Sequence, residues 1–331
     1  MDSNEQGGVN VFRALENSTN FFKESPFLID LSQDIELPEP ILTKDGTNLF
    51  SVGEISCVSG AAKSRKTFFL SAITVAYLSE EGYLGFKPGN IKSPLLLVDT
   101  EQGMPFTYNV VRRIHNMMGW DAGQNNKNLK VINFRKLTPE TRLQALEQAL
   151  KIYKPAFCLI DGVADLVTDV NDAAEASDIV SWLMKNSSEY NCHILCVLHT
   201  NPFTDKQRGH LGSMLIRKCE TVINLTREGD FTVAKEAYGR NKEVPSTTFT
   251  IDQSGFPILA DMPCKTNKKE SLKADFKAVM PASSSIAYTD LVRTLGEQLN
   301  FGIGKAKCQI KRAVENNVIE KNEAGFYSIN Y

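Results

Sequence analysis

The chain has 331 residues, 42% hydrophobic and 23% charged, with a formal net charge of −2 and seven cysteines. That length predicts one large domain plus a small one, and the near-balanced charge excludes a global field for nucleic acid or membrane, so any such surface must be local. No apolar run reaches membrane-span length, the polar first ten residues lack a signal peptide's basic and apolar regions, and several cysteines (Cys57, Cys158, Cys196) sit in apolar runs; the expectation is a cytoplasmic protein with reduced thiols and no membrane partner.

In chain order, residues 1–35 are polar and irregular, with a weak helical patch from Phe12 to Phe22, and predict an arm or a lid. Residues 37–54 are turn-rich, with a hairpin expected at Asp45-Gly46. Ile55 to Val58 is a short apolar run that meets Gly60, passes through Ala61, Ala62, Lys63, Ser64 and Arg65, and re-emerges at Lys66-Thr67 heading an apolar helical pattern to Leu78. Strand, small-residue loop and helix is the arrangement that cradles phosphate on backbone N–H groups at a helix N-terminus. In it Lys66 would reach the β- and γ-phosphates and the Thr67 hydroxyl would sit on Mg²⁺. The pattern G-x-x-x-x-G-K-[ST] asks for glycine at position 65, where this chain has Arg65. Either Arg65 holds the same backbone with its side chain turned away, or its guanidinium lies on the nucleotide; the bland alternative is a strand-to-helix turn that binds nothing.

Buried-type strands follow at 94–99, 128–134, 156–161 and 193–199, alternating with helical patterns at 106–118, 138–153 and 173–190. Thr138 is the expected N-cap of its helix, with Pro139 in the first position. Such alternation means a mostly parallel sheet with helices on both faces, whose ligands gather at the carboxyl ends of the strands. Glu101, Asp161 and His199 fall there beside the phosphate loop. Asp161, closing an apolar strand, suits the magnesium side with Thr67, and Glu101 suits a water-polarising role. Singly, each carboxylate also reads as a helix cap or a solvated strand end, and His199 as a structural hydrogen-bonder or a reader of the γ-phosphate. Cys192, His193, Cys196 and His199 share one apolar strand and cannot close a zinc site alone.

The 201–213 loop carries Lys206 and Arg208 among glycines, which suits single-stranded DNA or an ordinary surface loop equally. Residues 221–226, 231–238 and 247–252 alternate with period two and predict an antiparallel extension of the sheet. Residues 263–273 are basic and linker-like. Three helical stretches (272–280, 286–299, 303–317) and a hairpin then give a winged-helix pattern. From 263 onward there are eleven Lys/Arg against seven Asp/Glu, net +4, and the third helix carries Lys305, Lys307, Lys311 and Arg312, facing duplex DNA or a protein partner.

The loop at 60–67, Val-Asp-Thr-Glu-Gln at 98–102, Cys-Leu-Ile-Asp at 158–161 and Leu-His-Thr at 198–200 resemble the RecA-like P-loop ATPase core over residues 35 to 260, and most the RepA/DnaB-type hexameric helicase branch. The Lys-Ser-Arg-Lys-Thr form is similar to a group of ATPases from bacterial mobile elements. Arg240-Asn241 looks like that branch's Arg-Asn element, although Tyr238 stands where helicases often have a second basic residue. The resemblance implies ATP and Mg²⁺, a catalytic set of Lys66, Glu101 and His199, and Arg240 reaching a neighbouring subunit's γ-phosphate, hence a ring or filament. Together with the pattern beyond it, this divides the chain into an arm (1–35), an ATPase domain (36–262), a linker (263–273) and a winged-helix domain (274–331). The expected activity is an oligomeric DNA motor serving replication, mobilisation or excision; a nucleotide-gated DNA clamp and a P-loop small-molecule kinase are the alternatives.

Overall fold

The computed structural model describes residues 29, 31–32, 34–200, 209–261, 268–280, 285–299 and 301–330. They form two units, the first running essentially to Pro257 and the second holding the C-terminal residues from Ile258.

In the first unit, β1 (Pro40–Lys44) and β2 (Thr47–Ser51) make the hairpin expected at Asp45-Gly46. Both turn residues have positive φ (48° and 76°), the requirement of a two-residue type I′ turn, which an Asp-Gly pair meets at low cost. The hairpin is not an edge of the main sheet. With β3 (Ile55–Gly60) leading into the centre, β4 (Phe86–Pro88) pairs with β1 to close a separate sheet in the order β2-β1-β4.

The central sheet takes β5 (Leu95–Asp99), β6 (Leu129–Asn133), β7 (Phe157–Asp161), β8 (His193–His199), β9 (Thr221–Glu228) and β10 (Phe231–Gly239) in the order β10-β9-β3-β8-β7-β5-β6. The intervening helices are α1 (Lys66–Leu78), α2 (Met104–Met118), α3 (Pro139–Tyr153), α4 (Ala173–Glu189) and α5 (Gly209–Lys218). On one sheet face Cys57, Val98, Ile160 and Cys196 pack with Leu150 of α3, Leu183 of α4 and Leu215 of α5. On the other, Tyr77 of α1 meets Phe157 edge-on at 5.5 Å. Thr138 caps α3 as expected, accepting from Thr141 N, and Asp172 caps α4 by accepting from Glu175 N.

Two expectations are corrected. β9 runs parallel to β3, with Cys57 opposite Val222, so the antiparallel part begins only at β10. Alternation reports a half-buried face and says nothing of direction. What sets the direction is α5, a helix not foreseen in the sequence, which supplies the crossover that parallel neighbours need. Its first residues, Gly209 to Ser213, take up the end of the expected 201–213 loop. Gly209 starts it at φ +72°, and a Cβ there would lie 2.4 Å from the Val170 carbonyl oxygen.

The second unit contains β11 (Thr247–Ile251, from its second residue), which pairs with β12 (Pro257–Leu259), followed by α6 (Lys268–Val279), β13 (Ile286–Ala287), α7 (Tyr288–Leu299), α8 (Ile303–Glu315), β14 (Ile319–Lys321) and β15 (Phe326–Ile329). Phe276, Leu291, Leu295, Ile310, Val318 and Tyr327 form its own core, beside an antiparallel sheet in the order β13-β15-β14. The linker expected over 263–273 is already helical from Lys268, because a run of Lys, Glu, Ser and Leu is polar yet favourable to helix.

Candidate nucleotide-binding site

The crevice is built on four neighbouring parallel strands, β3, β8, β7 and β5, and each delivers one functional group at its carboxyl end. β3 ends at Gly60, where a Cβ would stand 2.5 Å from Ser64 Oγ and 2.8 Å from the Leu225 carbonyl oxygen; only glycine lets the loop fold back so tightly. Ala61, Ala62 and Lys63 form the exposed crown, closed by Ser64 N donating to Ala61 O at 3.2 Å. Lys63 and Arg65 are both left-handed, with φ of 63° and 67°.

Position 65 therefore has the backbone that glycine adopts without penalty. An arginine there costs on the order of 1 kcal/mol and still keeps the shape. Its carbonyl accepts from Phe69 N (3.0 Å), so Arg65 is the N-cap of α1, with no acidic residue in the first turn to compete for an anion. If the loop's shape is what matters, Arg65→Gly should retain nucleotide binding and change stability by no more than about 1 kcal/mol. Isothermal titration of both proteins checks this, and lost affinity in the variant would make the guanidinium itself a ligand.

Lys66 is only 7% exposed. Its Nζ donates to Gly60 O (3.0 Å) and Ala61 O (2.9 Å) and lies 3.1 Å from His199 Nδ1. Burial lowers its pKa, opposed by the nearby Asp161 and Glu101 carboxylates. An ammonium has only donors to offer, so Nδ1 accepts and the proton sits on Nε2, which faces Glu101 Oε2 at 3.4 Å. That hydrogen bond is the main cause of a lowered Glu101 pKa, and Glu101 is ionised at neutral pH. Thr67 Oγ1 donates to Asp161 Oδ2 at 3.0 Å. Asp161 is buried, which pushes its pKa up to about 6 against the opposing Thr67 hydrogen bond.

One contributor was not foreseen. Asp99 is buried and braces the turn that carries Glu101: its Oδ1 accepts from Glu101 N (3.1 Å) and Gln102 N (2.8 Å), its Oδ2 from Thr107 Oγ1 (2.6 Å). An aspartate just ahead of a turn is the available sequence signal, since its side chain suits N–H groups two and three residues on. Ser64, one of the loop residues expected to bind nucleotide, has its hydroxyl buried in the loop without a hydrogen-bond partner.

The other candidates lie elsewhere. Arg240 follows β10 at the amino end of the sheet: its N–H donates to Glu220 O, whose own N–H donates to Ile55 O. Its guanidinium pairs with Glu54 (3.0 Å) and donates to Lys218 O (2.9 Å), half-exposed. With β3 between them, it stands roughly 20 Å from its own phosphate loop. Lys206 and Arg208 lie outside the described residues. Lys305, Lys307, Lys311 and Arg312 are exposed on α8, opposite its buried Ala306, Ile310 and Ala313. His193, at the far end of β8, is a core residue between Phe50 and Phe157 and donates from Nδ1 to Ser51 O (2.7 Å).

The residues fit a triphosphate with a hard divalent cation. The unpartnered Ser64 hydroxyl, the loop N–H groups and Lys66 suit phosphate oxygens, and the adjacent Thr67 hydroxyl and Asp161 carboxylate are the oxygen donors that Mg²⁺ takes. Among the described residues no group of three or more His, Cys, Asp or Glu could hold a metal. No described helix is long and apolar enough to cross a membrane.

No curated protein matches the sequence. Among solved structures, the crystal structure of the RadB recombinase is similar over 64% of this chain and 93% of that one, with 14% identity and a TM-score of 0.47. Residues 26–202 match the family described as the AAA domain, and, with more than half its length matched, the chain belongs to that family.

Proposed function

We propose that the chain is a Mg²⁺-dependent ATPase with a RecA-like core that acts on DNA as an oligomeric, helicase- or translocase-like motor. The observation that carries it is the meeting of Lys66, Thr67, Asp161, Glu101 and His199 at the tips of four adjacent strands. Lys66 and the loop amides bind the β- and γ-phosphates, and Thr67 with Asp161 would hold Mg²⁺. When bound, the ion neutralises phosphate charge and orients the triphosphate for in-line attack. Glu101, ionised and fixed by Asp99 and His199, accepts a hydrogen bond from the attacking water and then its proton. His199, touching both Lys66 and Glu101, is the group on which γ-phosphate occupancy bears first.

The second unit supports the DNA reading as a winged helix: α8 is the groove-facing helix, β14 and β15 the wing, and the exposed Lys305, Lys307, Lys311 and Arg312 the phosphate contacts. Lys206 and Arg208 are proposed for single-stranded DNA. Arg240, half-exposed and far from its own loop, is proposed to serve a neighbour's site. The Lys-Ser-Arg-Lys-Thr loop supports service to a mobile element. The test is the ATP hydrolysis rate with and without single-stranded DNA; stimulation supports the motor, while slow turnover indifferent to DNA favours the nucleotide-gated clamp.

The pH dependence follows from Asp161. Its carboxyl, with a pKa of about 6, must lose its proton to take a cation. Mg²⁺ and the proton then compete, and the Mg²⁺ concentration for half-maximal nucleotide binding should rise about tenfold per unit below pH 6. Magnesium titrations of nucleotide binding at pH 7.5 and 5.0 check it; an Asp161→Asn variant should lose the dependence.

A further inference from the structure

The amino end of the sheet holds a second polar cluster, which the crevice at the other end does not use. Glu220, just ahead of β9, is 5% exposed. Its carboxylate bonds one residue of another segment twice: Oε2 accepts from Ser51 N (2.8 Å) and Oε1 from Ser51 Oγ (2.7 Å). Ser51 closes β2, and its carbonyl oxygen accepts from His193 Nδ1 (2.7 Å) and from Glu54 N (3.3 Å). Glu220 N in turn donates to Ile55 O (2.7 Å). The turn 51–55 and the segment 218–220 are thus joined side chain to backbone and backbone to backbone.

Burying a carboxylate is costly unless hydrogen bonds replace its water, and here both oxygens are used. Burial still pushes the Glu220 pKa up, with the Ser51 bonds opposing. An apolar side chain would attach the hairpin to the sheet without that cost. What it would lack is direction: a carboxylate that takes two donors from one serine fixes the turn in distance and angle.

The residue that depends on this direction is Arg240. Its backbone N–H donates to Glu220 O (3.0 Å), one Nη donates to Glu54 Oε2 (3.0 Å) and the other to Lys218 O (2.9 Å). All three acceptors belong to the two joined segments. A carboxylate on one Nη and a carbonyl on the other set the plane of the guanidinium, and the described residues engage two of its five N–H groups. The side chain remains 51% exposed. An arginine ordered before it meets its target loses little further freedom on contact, which is the advantage of a preorganised cation.

We propose that Glu220 and Glu54 are positioning residues for Arg240, Glu220 by joining the two segments and Glu54 by orienting the guanidinium toward the nucleotide of a neighbouring subunit. The proposal rests on the reading of Arg240 as a residue that acts in trans. Neither carboxylate touches nucleotide, so the loss of either should lower kcat and leave the affinity of the subunit's own phosphate loop unchanged.

The test is ATP hydrolysis by the full chain, with nucleotide affinity measured separately. Glu54→Ala removes an ion pair from a partly exposed turn, and Glu220→Ala removes the buried pin. Each should lower kcat about 10- to 100-fold, the usual cost of a misplaced group, with a retained circular dichroism spectrum. Glu220→Gln should restore most of the rate, since its amide oxygen accepts from Ser51 N and its NH2 donates to Ser51 Oγ. Mixing then separates positioning from general damage. Lys66→Ala subunits carry an intact Arg240 cluster, so an equimolar mixture with Glu54→Ala should regain activity that neither has alone. The level expected is that reached by a control mixture of Lys66→Ala with Arg240→Ala. A Glu54→Ala enzyme as fast as wild type or faster, a loss confined to affinity, or a mixture without recovery where the control recovers overturns the positioning role. An active Arg240→Ala, or a control mixture without recovery, removes the reading of Arg240 and the proposal with it.

Discussion

Replacing Lys66 by alanine should lower ATP turnover by at least about 10³-fold, because a preorganised cation in a largely water-excluded site stabilises developing phosphate charge far better than solvent does. Neither Lys63, exposed on the crown of the loop, nor Arg240, at the opposite end of the sheet, takes its place. Fold loss is not the expected cause, since the loop keeps its Ala61–Ser64 turn and the Gly60 approach without the ammonium. Steady-state hydrolysis with matched circular dichroism checks this. Turnover within a few-fold of wild type would remove the loop from the mechanism, however well it resembles a phosphate cradle.

Glu101→Gln should behave differently, retaining nucleotide affinity while hydrolysis falls by about 10²- to 10⁴-fold, the usual worth of a positioned proton acceptor. The amide has the carboxylate's size and can still take the His199 and Asp99-braced position, so geometry survives and only the proton affinity is lost. Asp99→Asn is the companion variant. It keeps the shape of the brace but weakens two backbone hydrogen bonds to Glu101 and Gln102, so an intermediate loss in kcat with little change in KM is expected. Single-turnover hydrolysis with separately measured affinity separates the two cases. A fully active Glu101→Gln would place the water on some other group.

Much of this site is legible in the sequence, for a simple reason. An apolar run that gives way to polar residues marks a buried strand reaching the rim of a sheet, so Glu101, Asp161 and His199 declare their positions locally. So do the Asp45-Gly46 turn and the Thr138 cap, whose geometry needs only the residues within one turn. What stays hidden depends on partners distant in the chain. Asp99 looks like one more polar residue until Thr107 is seen against it. The direction of β9 is set by α5, whose signal is two buried leucines among glycines and cations that read as a loop. The start of α6 is obscured because composition alone does not separate a charged helix from a linker.

The lodging of Lys66 has a consequence for how fast the site can act. Its ammonium is stripped of most bulk water when the chain folds, held meanwhile by two loop carbonyls and the His199 ring. An arriving phosphate therefore exchanges one set of short contacts for another and meets a cation whose dehydration is already complete. In the proposed site, the dehydration that phosphate binding requires would then fall mainly on the nucleotide.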